Sequence, residues 1–114
     1  MQVQESGSLD TLKIMMKITL HEQPEATTIQ LEGRVVGPWA SVLDQTWRSL
    51  AQSLGAKKLH VDLRDVIQMD AEGKRVLSEI YKSTGAHFLA DTPMTKYLAH
   101  EARLANQKYP MGGE

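Results

Sequence analysis

Cysteine is absent from this sequence of 114 residues, which excludes disulfides, thiolate metal sites and thiol nucleophiles. The absence is compatible with a reducing compartment. A surplus of basic charge is absent as well, because the formal net charge is −1. Since binding to a phosphate backbone usually requires such a surplus, we expect no nucleic-acid partner.

Long hydrophobic runs are also absent. No stretch approaches the roughly 20 apolar residues that span a bilayer, and the N-terminal MQVQESGSLD lacks the basic and then apolar pattern of a signal peptide. We therefore expect a cytoplasmic protein with no direct membrane insertion. With 41% apolar residues, the chain fits one soluble globular domain.

Alternating apolar and polar positions predict β-strands, each with one buried face. The alternation runs over residues 14–20 and again over 27–33. Gln23-Pro24-Glu25 between them is typical of a turn, so these two strands are close enough to pair as a hairpin. Two further short strands are predicted at 59–63 and 87–90.

Apolar residues at spacings of three and four predict three helices. Gly37-Pro38 starts the first, because proline is tolerated in a first helical turn, and Gly55 ends it through a positive φ. The second begins near Gly73 and ends near Thr84-Gly85, and the third follows Asp91-Thr92-Pro93. The predicted apolar stripes are Val42, Leu43, Trp47, Leu50 and Leu54; Val76, Leu77, Ile80 and Tyr81; and Met94, Tyr97, Leu98, Ala102 and Ala105.

The element order β-β-α-β-α-β-α predicts an α/β fold, with a mixed sheet of four to five strands covered by helices. Right-handed crossovers would join the later, parallel strands. We expect one domain over residues 12–105, a flexible N-terminal lead over 1–11 and a flexible C-terminal tail over 106–114.

Four acidic residues lie in the segment VDLRDVIQMDAEGKRVL, and carboxylates at close range can bind Mg²⁺ or share a proton. Asp62 falls within a predicted strand and Asp65 in the loop after it. Asp70 directly precedes a helix, which is the favoured N-cap position, and Glu72 follows in its first turn. Because no nucleophile or matching base accompanies them, we expect no catalytic site. A small carboxylate-dependent hydrolase or phosphotransfer protein stays open as an alternative.

The histidines His21, His60, His87 and His100 include no pair at the helical i, i+4 spacing. A metal site would need all its geometry from the tertiary fold. The glycines form no phosphate-binding motif. We expect neither a metal nor a cofactor.

Four features follow one another along the chain: the segment Leu31–Gly37, a helix after it, and then the segments Leu59–Leu63 and Met69–Gly73. In these features and their order, the chain resembles the STAS domain, the family of sulfate-transporter domains and anti-sigma-factor antagonists. The resemblance covers about residues 12 to 103. It implies a small β/α domain that is not an enzyme. In the antagonist branch, it also implies binding to a serine kinase that acts as an anti-sigma factor, which releases the sigma factor. Phosphorylation of a serine at the head of the second long helix ends that contact.

The family's Asp-Ser-Ser-Gly motif corresponds here to Asp70-Ala71-Glu72-Gly73. Ala71 occupies the phosphoserine position and has no hydroxyl to accept a phosphate. Glu72 would supply one permanent negative charge at the positive end of the helix dipole. The chain is then either constitutively active or regulated elsewhere. Ser78, Ser83 and Thr84 are poor substitutes, since they lie within the helix or near its negatively polarised end.

The expected partner-binding surface combines the turn at the head of this helix with the loop around residues 33–39. Lys74 and Arg75 would give it a rim with charge of both signs. Trp39 is either packed or an anchor for the partner. Alternatively, the chain is a cytoplasmic accessory subunit of an ABC-type transporter and docks on the transporter's ATPase. The oligomeric state stays open. The predicted surface consists of Asp70, Ala71, Glu72, Gly73, Lys74, Arg75, Gly33, Gly37 and Trp39.

Overall fold

The chain follows the predicted order of strands and helices. The computed structural model describes residues 16–112. No helix within that range is long and apolar enough to cross a membrane. The elements are β1 (Met16–Glu22), β2 (Ala26–Val35), α1 (Pro38–Ala51), β3 (Lys58–Met69), α2 (Ala71–Thr84), β4 (His87–Leu89) and α3 (Pro93–Gly112).

The strands form one mixed sheet in the order β1-β2-β3-β4. β1 and β2 pair antiparallel as the predicted hairpin, whereas β3 runs parallel to β2 and β4 parallel to β3. Helix α2 packs against both α1 and α3, so the three helices form a layer on one face of the sheet. The predicted α/β fold with a mixed sheet is confirmed, with four strands in the described part of the chain.

The core lies between the sheet and the helix layer. Ile29 and Leu31 of β2 and Val61 and Leu63 of β3 are fully buried, as strand alternation predicts. The predicted buried face of β1 is only partly present, because Leu20 on this edge strand is 41% exposed. Ile14, which the same pattern includes, lies outside the described residues.

Strand β3 is much longer than the predicted segment 59–63. It continues to Met69, so Asp65 lies within the strand and its predicted place in a loop was wrong. β3 stays paired with the parallel strand β2 up to the last pair, Val35 and Met69. The pairing includes two register shifts, at which the alignment of the two strands changes. As a result, β2 and β3 end side by side and the chain leaves both at the same edge of the sheet.

Two helical predictions need correction. Helix α1 ends at Ala51, before Gly55, whose positive φ of 61° belongs to the following turn. Three residues of the predicted stripes face solvent, because the helices are rotated slightly from the predicted orientation. Leu43, Trp47, Leu98 and Ala102 are buried as predicted. Ala40 on α1 and Thr95 and Ala99 on α3 are buried as well, whereas Val42, Met94 and Tyr97 are exposed.

The predicted C-terminal boundary of the domain, at residue 105, falls within α3. Helix α3 continues past residue 105 to Gly112. The lead over 1–11 lies outside the described residues. The division into a lead, a domain and a tail stays a prediction.

Candidate functional site

Asp70 joins the beginnings of two helices. It follows β3 directly and is the N-cap of α2, where its Oδ1 accepts a hydrogen bond from the Gly73 N–H at 2.9 Å. Its Oδ2 accepts a second bond, at 2.8 Å, from the N–H of Gly37, which is the N-cap of α1. The sequence predicted the cap on α2, and the bond to α1 is an additional finding.

These two bonds also favour the ionised form of the carboxyl group. The backbone N–H of Gly37, followed by that of Gly73, lowers the pKa of Asp70 below its usual range, because both donors favour the ionised form. A fixed negative charge therefore lies between two helix N-termini, where the helix dipoles also favour it.

Gly73 permits a close approach between α2 and the sheet. A Cβ atom at this position would lie 2.6 Å from the carbonyl oxygen of Val35 and 2.6 Å from Cγ of Met69. Both neighbours are the last residues of their strands. The glycine in this motif is thus explained by packing, because a side chain would push the head of α2 away from the ends of β2 and β3.

Gly37 has a backbone requirement of its own. Its φ of 51° and ψ of −126° belong to a region that side-chain-bearing residues rarely adopt. This conformation lets Gly37 donate to Asp70 while Pro38 begins α1 in the next position.

The outer surface at the head of α2 is formed by short and charged residues. Ala71 is the first residue of the helix and is exposed. Arg75 pairs with Glu72 at 3.1 Å along the helix surface. The ammonium group of Lys74 lies 5.8 Å from the centre of the Tyr97 ring on α3. This places a partly exposed aromatic side chain beside the predicted turn.

No pattern in the sequence identified Tyr97 as a surface residue. Its spacing was consistent with the buried stripe of α3, and only the packing of α3 against α2 shows that it is 53% exposed. From the head of α2, an open groove with a volume of about 310 Å³ runs between the two helices. Its lining residues are Ala71, Lys74, Arg75, Ser78, Glu79 and Lys82 from α2, and Glu101, Ala102 and Ala105 from α3.

The structure does not bring every predicted site residue to this surface. Gly33 lies inside β2, where it pairs with both neighbouring strands. Trp39 is half-buried and packs against the core, which favours the packing role over the anchor role. Gly37 and the segment 70–75 do come together. Whether any of them binds a partner stays a prediction.

The remaining carboxylates have structural partners or stand apart. Both oxygens of the buried Asp62 accept hydrogen bonds from the Arg64 guanidinium, at 3.0 and 2.9 Å, and these bonds lower the pKa of Asp62. Asp62 and Asp70 are separated by eight residues of largely extended chain, or roughly 26 Å, which is too far to share a proton. Among residues 16–112, no group of three or more histidines and carboxylates is placed to hold a metal ion.

The fold is similar to that of known structures. An anti-sigma factor antagonist from Mycobacterium paratuberculosis superposes with a TM-score of 0.70 and 18% sequence identity, covering 82% of both chains. A structure of Mglu gives a TM-score of 0.53 and 17% identity over 66% of this chain, but only 19% of that chain. No protein-family model matches the sequence, and no curated protein matches it significantly. The predicted STAS fold is thereby confirmed, and at these identities the likeness is one of fold.

Proposed function

We propose that this chain is a non-catalytic, protein-binding domain that acts as an anti-sigma-factor antagonist and docks through the head of α2. The observation that carries the proposal is the shared fold with an anti-sigma factor antagonist over 82% of both chains. The segment Asp70–Gly73, which corresponds to the Asp-Ser-Ser-Gly motif of that family, lies at an exposed helix start beside a second helix start.

Within this surface, the residues divide into two roles. Asp70 and Gly73 act as positioning residues, because the Asp70 carboxylate is satisfied by internal donors and Gly73 is buried against the strand ends. Ala71, Lys74 and Arg75 face outward and are available for contact. Because the start of α2 is already held in place before binding, it loses little conformational freedom when it docks.

The partner expected for this surface is a serine-kinase anti-sigma factor. Phosphorylation cannot end the contact at Ala71, which has no hydroxyl. Glu72 is a weak replacement for a phosphoserine, because it has one negative charge rather than nearly two and that charge is paired with Arg75. Phosphorylation at position 71 therefore cannot end the interaction with the kinase.

Affinity capture from a lysate of the source organism, with the tagged chain as bait, tests the proposal. The Lys74→Glu/Arg75→Glu double variant removes two cations from the docking surface. Lys57→Glu/Lys58→Glu is the matched control, because these residues lie at the opposite end of β3. An ATP-binding anti-sigma kinase should be recovered with the wild type and the control, but not with the first variant.

Other outcomes would replace the proposal. Recovery of a transporter ATPase instead of a kinase would assign the chain to a membrane-transport complex, the alternative that an unphosphorylatable Ala71 equally suits. An empty capture, together with a saturable hydrolytic activity that Asp70→Ala abolishes, would assign it to the enzymatic class.

A further inference from the structure

Two histidines that are far apart in sequence are direct neighbours in the sheet. His60 of β3 and His87 of β4 are paired in register on adjacent parallel strands. Their ring centres are 5.4 Å apart, with an angle of 61° between the ring planes. The sequence could not show this pair, because it depends on the pairing of β3 with β4.

Both imidazoles lie on the face of the sheet opposite the helices. Leu59, Val61 and Phe88, their neighbours along the strands, are buried on the helix side. Because successive side chains of a strand point to opposite faces, His60 and His87 point away from the core. His60 is half-buried and His87 exposed, so a solvated ion can reach them.

We propose that His60 and His87 form a two-imidazole site for a divalent late transition-metal ion such as Cu²⁺, Ni²⁺ or Zn²⁺. Two imidazoles bound to one ion at metal–nitrogen distances of about 2.0–2.1 Å have their ring centres roughly 5 Å apart at the tetrahedral angle of Zn²⁺ and roughly 4.5 Å apart at the right angle of tetragonal Cu²⁺ or Ni²⁺. The observed separation of 5.4 Å is within about 1 Å of both values.

Two protein ligands make this an open site. Within residues 16–112, no third histidine or carboxylate completes a ligand group, and the nearby carboxylate of Asp62 is held by Arg64. Water would occupy the other coordination positions. We therefore expect exchangeable binding, in contrast to the closed four-ligand sites of structural zinc.

The site is separate from the proposed docking surface. His60 lies near the beginning of β3 and Asp70 directly after its end, about 33 Å away along an extended strand. Metal binding at the histidine pair and partner binding at the head of α2 can therefore be tested independently.

Isothermal titration calorimetry on the full chain, with NiCl₂, CuCl₂ and MgCl₂ in turn, tests the proposal. We expect one saturable site for Ni²⁺ and a tighter one for Cu²⁺, as the general order of divalent affinities requires. Mg²⁺ should show no binding, because it prefers oxygen ligands.

His60→Ala and His87→Ala should each weaken Ni²⁺ binding at least tenfold, whereas His100→Ala, at an exposed position on α3, should leave it unchanged. His60→Gln provides a second, more conservative variant if His60→Ala fails to fold. In the wild type, substoichiometric Cu²⁺ should broaden the NMR signals of both rings together. Absence of saturable binding, or loss with only one of the two histidine positions, or an equal loss with His100→Ala, would overturn the proposal.

Discussion

The Asp70 side chain accepts a 2.8 Å hydrogen bond from the backbone N–H of Gly37, a residue 33 positions earlier in the chain. The same carboxylate caps α2 through Gly73. One side chain therefore fixes the relative position of two helix starts at the edge of the sheet where β2 and β3 end.

Replacing Asp70 with alanine should destabilise the domain by about 2 kcal/mol. Loss of an N-cap costs about 1 kcal/mol, and the loss of the second hydrogen bond, to Gly37, adds a similar amount. Urea denaturation measures the change. Asp70→Asn is the matched control and should cost less, since an amide oxygen can still cap α2. A cost for Asp70→Ala below about 0.5 kcal/mol would show that the link between the helices contributes little.

The lowered pKa of Asp70 makes part of the stability depend on pH. A carboxyl group whose pKa is lower in the folded than in the unfolded state stabilises the fold above its unfolded pKa. That contribution is lost as the pH falls through the folded pKa. The unfolding free energy of the wild type should therefore exceed that of Asp70→Asn by a constant amount above about pH 5, and the difference should shrink below about pH 4. A difference that stays constant to pH 2 would contradict this expectation.

Gly73→Ala should destabilise the domain, although alanine normally favours a helix by about 1 kcal/mol over glycine. The added methyl group would meet the Val35 carbonyl and the Met69 side chain at 2.6 Å, and such overpacking typically costs about 1–3 kcal/mol. Thermal unfolding of this variant and of Lys74→Ala, at the neighbouring exposed position, measures the effect. A rise in melting temperature for Gly73→Ala would show that the strand ends yield easily.

Introducing the sequence Asp-Ser-Ser-Gly at residues 70–73 should create a phosphorylation site, if the proposed function is correct. In the Ala71→Ser/Glu72→Ser double variant, a cognate serine kinase should transfer phosphate to Ser at the start of α2, where the helix N-terminus favours the added charge. Incorporation of radioactive phosphate by the variant but not by the wild type is the expected result. Phosphorylation of the wild type at another residue would show that control persists elsewhere in the chain.

Local patterns predicted most of the elements because they depend on short-range chemistry. Alternation at Thr27, Ile29 and Leu31 identified β2, and the place of Asp70 before an apolar helical stripe identified its capping role. The rotation of α3, which exposes Tyr97, depends on its contacts with α2 and could not be deduced from spacing alone.

Contacts between residues on different strands could not be predicted from the sequence either. The Asp70–Gly37 bond and the His60–His87 pair each require the register of parallel strands, which residues far apart determine together. A strand predicted over residues 59–63 alone leaves Asp65 in the loop after it. Pairing with β2 nevertheless continues the strand to Met69.

The most direct test of the proposed function is the affinity of the purified chain for the purified anti-sigma kinase, measured by calorimetry for three proteins. We expect saturable binding by the wild type and unchanged binding by Lys57→Glu/Lys58→Glu. Binding by Lys74→Glu/Arg75→Glu should be at least tenfold weaker, because the charge at the head of α2 is reversed. Equal affinity for all three proteins would contradict docking at this surface, and no binding by the wild type would contradict the proposed partner.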